Sequence, residues 1–136
     1  MQKGFVRKEI IPISEVENAV KDVMFCKNKR DSYVNIRGDI IKGNSQRFQT
    51  FFTKGLKCSC CGIGGKYFAK EKDLNAARYH LNLYAIDDAG EEVLMIKKHI
   101  IPLYKGGKND VINFQTICEN CNKNKRNVTV KLTKEN

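Results

Sequence analysis

No stretch of this sequence approaches the roughly 20 consecutive apolar residues that a membrane-spanning helix needs. The opening Met1-Gln2-Lys3-Gly4-Phe5 holds no apolar run of the signal-peptide kind. Internal repeats and low-complexity linkers are missing too. These absences exclude a helical membrane protein and point to a single domain over residues 1–136 with a cytoplasmic, intracellular location. Acidic residues are scarce: 15 Asp and Glu stand against 25 Lys and Arg, which leaves a net charge of +10. Residues 1–57 carry twelve basic and six acidic groups, a balance of +6; residues 58–98 carry six of each; residues 99–136 carry seven against three, a balance of +4. Two basic ends around a neutral middle favour a polyanion such as nucleic acid as partner, although a solvated surface accounts for the same charge. A chain of this size buries only a modest core, to which a structural metal would add stability.

What the chain does have is cysteine in pairs. Cys58-Ser59-Cys60-Cys61-Gly62 and Cys118-Glu119-Asn120-Cys121 bracket a segment that carries one histidine, His99. In a reducing compartment, paired cysteines bind metal more often than they form disulfides. Four thiolates at Cys58, Cys61, Cys118 and Cys121 have the spacing that closes a tetrahedral zinc site. Cys60 competes with Cys61, but Cys58-x-Cys60 is a poorer chelate, and Gly62 permits the tight turn that wraps a metal around Cys61. Coincidental spacing of core cysteines is the plainer account. Cys26 has no partner and is expected to be a small buried hydrophobe.

Local patterns predict an α+β fold. Ser14 and Glu17 read as a capping box, and Val16, Ala19, Val20, Val23 and Met24 follow at helical spacing, so a helix is expected over about 14–26. Tyr33 to Ile36 reads as a short strand ended by Gly38. Asn44 or Ser45 caps a helix over about 45–54 that Gly55 terminates, and its Phe48, Phe51 and Phe52 form an apolar stripe read as core. Alternation from Tyr79 to Ile86, turn chemistry at Asp87-Asp88-Ala89-Gly90 and an apolar run from Glu91 to Ile101 predict a hairpin with His99 near its end. A Gly-rich loop over 103–112, a strand over 114–117 and a helix from about 118 to 127 complete the pattern. The other histidine, His80, has no such context and is read as strand surface or core.

Taken in order, Cys58-x-x-Cys61, His99-Ile100-Ile101-Pro102, Gly106-Gly107, Asn113 to Cys118 and Cys121-Asn122-x-x-Lys125 resemble the HNH endonuclease family over about residues 55–126. The resemblance implies an N-terminal helical region over 1–54, then a zinc-stapled ββα-metal core over 55–127 and a tail over 128–136, from a microbial or viral source. It puts His99, Asn113 and Asn122 at the three motif positions, an H-N-N variant. His99 would be the general base that activates water, since imidazoles titrate near neutral pH. Asn113 would hold the loop and orient His99. Asn122 would ligate one divalent ion such as Mg²⁺ through its side-chain oxygen. DNA would be the partner, with Lys105, Lys108, Lys123, Lys125 and Arg126 on backbone phosphates, and Arg30, Arg37, Lys42 and Arg47 extending that surface. One such site cuts one strand, so cutting both calls for two copies, a homodimer.

The sequence departs from the family at one position. The residue before the histidine is usually a metal-binding aspartate, and here it is Lys98. An ammonium cannot ligate Mg²⁺ and repels it. Three accounts follow: Asn122 with phosphate and water suffices; another carboxylate such as Asp110 substitutes; or the chain is an impaired nuclease retained as a zinc-stabilised DNA-binding or regulatory protein. A zinc-binding adaptor for other proteins is a further reading, against which the basic charge argues.

Overall fold

A computed structural model describes residues 4–124. The chain runs β1 (Phe5–Ile11), α1 (Ile13–Val20), β2 (Tyr33–Ile36), β3 (Asp39–Lys42), α2 (Gln46–Lys54), β4 (Tyr67–Asp73), β5 (His80–Ile86), β6 (Glu92–His99) and β7 (Phe114–Cys118), then a helix, α3, at 119–124. This is a mixed α and β architecture. A five-stranded antiparallel sheet has the order β1-β4-β5-β6-β7, and β2 and β3 form a separate hairpin. Among the described residues no helix is long and apolar enough to cross a membrane.

The helical N-terminal region expected from the sequence is corrected here. Three of its five elements are strands, and β1 forms one edge of the main sheet against β4. The helix expected from Ser14 instead starts at Ile13 and ends at Val20, with Pro12 at the cap and no side-chain capping bond. The Val16 N–H donates to the Pro12 carbonyl, so Ser14 lies inside the first turn. Cys26, expected to be buried, is half-buried in the turn that follows, with its Sγ 3.5 Å from the Asn28 carbonyl. The predicted end of α3 near 127 and the tail from 128 lie outside the described residues.

α2 forms where its signals predict. The Ser45 side chain accepts from the Phe48 N–H, and Gly55 ends the helix at φ 115°, a backbone state that suits glycine. Its buried face carries Phe48 and Phe51, with half-buried Phe52 beside them, against Phe68 of β4. With Leu81, Leu83, Val93, Met95 and Ile117 of the sheet and Val16 and Val20 of α1 they make one core. Burial of each such large side chain contributes roughly 1.5–3 kcal/mol. The β5–β6 turn is closed by Asp87, whose Oδ1 accepts from the N–H groups of Ala89 and Glu91.

β4 went unread in the sequence because its centre is charged. Lys70 and Glu71 are both fully buried. The Lys70 ammonium donates to the Ile36 carbonyl at 2.6 Å, to Asp39 at 2.9 Å, and pairs with Glu9 at 3.0 Å. Glu71 accepts from Asn82 at 2.8 Å, Tyr84 at 2.7 Å and Arg7 at 2.7 Å. Buried charges are tolerated only when matched in this way. Arg7 also grips Glu92 with two bonds of 2.9 and 2.8 Å, and Tyr67 donates to the same carboxylate. Those bonds, from Arg7 above all, hold the Glu92 carboxyl at about 2 against an ordinary 4.5. A depressed carboxyl contributes stability above its ordinary pKa and loses it as pH falls through the folded value. Stability is therefore expected to fall between about pH 4.5 and pH 2, and Glu92→Gln should flatten that slope in a pH series of thermal unfolding curves. An unchanged slope in the variant would remove Glu92 as its source.

β5 and β6 pair only at Tyr84–Leu94, Ala85–Val93 and Ile86–Glu92. Beyond that point the start of α2 ties the two strands. Arg47 donates to the Leu81 carbonyl and to Asn82 Oδ1, and the Lys97 ammonium donates to Gln46 Oε1 at 2.8 Å. The end of β6 pairs instead with β7, from Met95–Cys118 to His99–Phe114. This ladder places His99 at the mouth of the loop and Cys118 at its opposite end.

Candidate active site

Cys58, Cys61, Cys118 and Cys121 bring their Sγ atoms within 4.8 Å of one another. Cys61 and Cys118 Sγ are 3.8 Å apart. A tetrahedron with Zn–S bonds of about 2.3 Å has edges of about 3.8 Å, so the cluster can hold a metal such as zinc. The turn after Cys58 is built for this. Gly62 adopts φ 81° and donates to the Cys58 carbonyl, while Lys57 and Gly64 bridge the turn's base. The N–H groups of Cys60 and Cys61 point at Cys58 Sγ, at 3.4 and 3.5 Å, and that of Cys121 at Cys118 Sγ, at 3.4 Å. Burial pushes the Cys58 thiol up, but the backbone donors of Cys61, Cys118 and Cys60 outweigh it and bring it to about 6. Burial raises the Cys118 and Cys121 thiols, and crowding by neighbouring sulfurs adds to it. Four sulfurs this close need a cation among them to be thiolates together. Cys60 is exposed and outside the cluster, so geometry decides between it and Cys61.

The loop between β6 and β7 hangs on Asn113. Its Oδ1 accepts from the Ile101 N–H at 2.9 Å, and its Nδ2 donates to the carbonyls of Ile101 at 2.9 Å and Lys108 at 2.8 Å. Its carbonyl accepts from the Ile100 N–H at 2.7 Å. Gly107 lies so close that a Cβ there would meet the Ile101 carbonyl oxygen at 1.8 Å. This latch closes the loop directly after His99, and its side-chain bonds go to Ile101 and Lys108.

His99 is half-buried. Its ring packs edge-on against Phe114, with centroids 5.0 Å apart and planes at 90°. Its Nε2 is 3.0 Å from Asn109 Oδ1. A neutral imidazole that donates from Nε2 to Asn109 carries its lone pair on Nδ1. Asn109 was missed in the sequence, where one asparagine in a polar loop gives no signal. Asn122 lies on α3, one residue after Cys121, and its Oδ1 accepts a bond of 2.9 Å from the Lys98 ammonium. Asp110 joins no cluster of metal-ligating side chains; among the described residues the four cysteines are the one such group.

Residues 88–135 match the family model of the HNH endonucleases. This match supports recognising an HNH endonuclease segment in the C-terminal part of the chain. The HNH segment holds His99, Asn113, Asn122 and the second cysteine pair, whereas Cys58 and Cys61 come from outside it. It points to nuclease activity in general. Searches of curated proteins and of solved structures returned no significant match.

Around the HNH loop the surface is basic and partly apolar. Lys105, Lys108 and Lys123 are exposed, and so are Ile101, Leu103, Tyr104 and Ile112. Lys125 and Arg126 lie outside the described residues. Among the N-terminal cations, Lys42 and Arg30 are exposed, but Arg37 is held by Glu15 and Glu9, and Arg47 is spent on Leu81 and Asn82. His80 is half-buried at the start of β5, packed edge-on against Phe5, and burial lowers its pKa. It stands apart from the loop that holds His99.

Proposed function

We propose that this protein is an endonuclease that hydrolyses phosphodiester bonds in DNA, with His99 as general base. The observation that carries this reading is the imidazole at the end of β6, its ring fixed by Phe114 and Asn109 beside a loop latched by Asn113. His99 takes a proton from water, the water oxygen bonds to phosphorus, and the ester bond breaks with its electron pair staying on the leaving oxygen, which takes a proton from solvent. A positioned base contributes about 10²–10⁴-fold. Asn113 acts as a positioning residue by keeping the loop closed behind His99. Lys105, Lys108 and Lys123 meet backbone phosphates, Lys125 and Arg126 add to them, and the zinc holds the scaffold. Cutting both strands would require two copies of the chain.

A divalent ion such as Mg²⁺ on Asn122 is the family expectation. As arranged here, Asn122 does not fit one, because its oxygen already faces an ammonium group. No step above passes through such an ion. The same observation favours a second reading, a zinc-stabilised DNA-binding or regulatory protein that has lost catalysis. Incubation of the protein with supercoiled plasmid separates the two. The first reading expects relaxed circles; a gel shift that leaves every circle supercoiled supports the second.

A further inference from the structure

We propose that the cavity between the β2–β3 hairpin, the start of α2 and the start of β5 binds a nucleotide, either an unpaired unit of a nucleic acid strand or a free nucleoside monophosphate. It encloses about 360 Å³, within the range of small-molecule sites. Tyr33, Ile40, Lys42, Arg47, Arg78 and His80 are among its walls, and no Asp or Glu is among the described residues that line it. Lys42 stands directly opposite Tyr33 in the hairpin, so both side chains lie on one face. The Arg78 guanidinium lies over the Tyr33 ring, 5.3 Å from its centroid. Lys42 and Arg78 are exposed, whereas Arg47 is half-buried. Arg47 bonds to two neutral oxygens, the Leu81 carbonyl and Asn82 Oδ1, and among the described residues no carboxylate pairs with it. The carboxylates of the surrounding strands are already matched: Glu71 by Arg7, Asn82 and Tyr84, and Asp39 by Lys8 and Lys70.

This lining matches the two halves of a nucleotide. A guanidinium forks onto phosphate oxygens through paired N–H donors, and a base stacks on tyrosine rings and guanidinium planes. Arg47 and Lys42 meet the phosphate, which supplies the counter-charge that Arg47 lacks. The Tyr33–Arg78 pair takes the face of the base, with Ile40 as an apolar wall beside it. A base inside a duplex reaches such a platform only by leaving its stack, so a strand held here is unpaired at this point. Gln46, next to Arg47, accepts from Lys97, whose ammonium lies over the Phe114 ring that packs on His99. Cavity and HNH loop are thus joined by one line of contacts, yet the inference holds whether or not the chain cleaves DNA.

The two histidines report separately, because His80 lines the cavity and His99 stands at the HNH loop. The imidazole NMR signals of the zinc-loaded protein, assigned with His99→Ala, are followed as deoxyadenosine monophosphate is added. The expected result is a saturable shift of the His80 signals while those of His99 stay in place, with a far smaller response to inorganic phosphate. Lys42→Ala and Arg78→Ala, both at exposed positions, should keep the thermal midpoint and weaken binding by about tenfold each. A single strand of roughly ten deoxyadenosines distinguishes the sources. Tighter binding than the mononucleotide, read at His80, makes the occupant part of a nucleic acid strand. Equal or weaker binding makes it a free nucleotide, and the inference stands in both cases. No His80 shift with either probe, or a shift confined to His99, overturns it. So does an equal response to phosphate alone, which leaves an anion site without base recognition, and so does wild-type affinity in both variants.

Discussion

Cys118→Ser is expected to cost the protein its metal and most of its thermal stability. Cys118 is almost fully buried at the end of β7, where the sheet hands over to α3. With a metal among the four sulfurs, it would tie the sheet, the helix and the turn at Cys58 together. Structural zinc supplies about 10–16 kcal/mol of apparent binding free energy in small zinc-dependent folds. A domain of ordinary stability has only about 5–15 kcal/mol in all. Losing one of four ligands, and leaving three crowded sulfurs with no matching cation, should remove several kcal/mol of this. Native mass spectrometry should find one zinc on wild type and none on Cys118→Ser, with a thermal midpoint lowered by well over ten degrees, taking about 4–8 °C per kcal/mol for a small domain. Cys60→Ser is the control, because Cys60 is exposed and outside the cluster, and it should change neither measurement. A Cys118→Ser protein that keeps its zinc and its midpoint would show that the cluster does not hold the fold.

His99→Ala should lower the cleavage rate by about 10²–10⁴-fold, the range for loss of a positioned base. The fold should survive. The ring is only half-buried, and what it loses is an edge contact with Phe114, worth about 1 kcal/mol, and one bond with Asn109. DNA affinity should hardly change, since the proposed function gives the phosphate contacts to lysines elsewhere on the surface. Fluorescence anisotropy on a labelled duplex and a nicking time course separate these effects. A variant that binds as wild type does and cuts as fast would remove His99 from the chemistry. A variant that neither binds nor melts normally would give it a structural role.

Much of the site was legible in the sequence because its signals are local. Cys58-x-x-Cys61 and Cys118-x-x-Cys121 need only a turn and a strand end to converge. Ser45 and Gly55 mark α2, and Asp87 to Gly90 mark the hairpin turn. Asn113 was singled out by the resemblance to the HNH family, although the sequence does not reveal that it bonds to Ile101 and Lys108. What stayed hidden depends on distant partners. β1 and β4 look like charged surface until Lys70 meets Glu9 and Asp39, and Glu71 meets Arg7, Asn82 and Tyr84. That buried network is why β1 and β4 went unread, and with β1 unread the first 54 residues, three of whose five elements are strands, read as mainly helical. The bond from Lys98 to Asn122 spans 24 positions. The sequence showed a lysine where an aspartate was expected, but only the ladder and α3 bring it to that oxygen.

The central claim is that this chain breaks DNA through His99. A supercoiled plasmid incubated in parallel with zinc-loaded wild type and with His99→Ala, at protein concentrations giving equal DNA binding, tests it most directly. The account predicts relaxed circles that accumulate with wild type and are absent, or slower by at least about 10²-fold, with the variant. Equal relaxation by both proteins, or none by wild type while it remains bound to the plasmid, would contradict it.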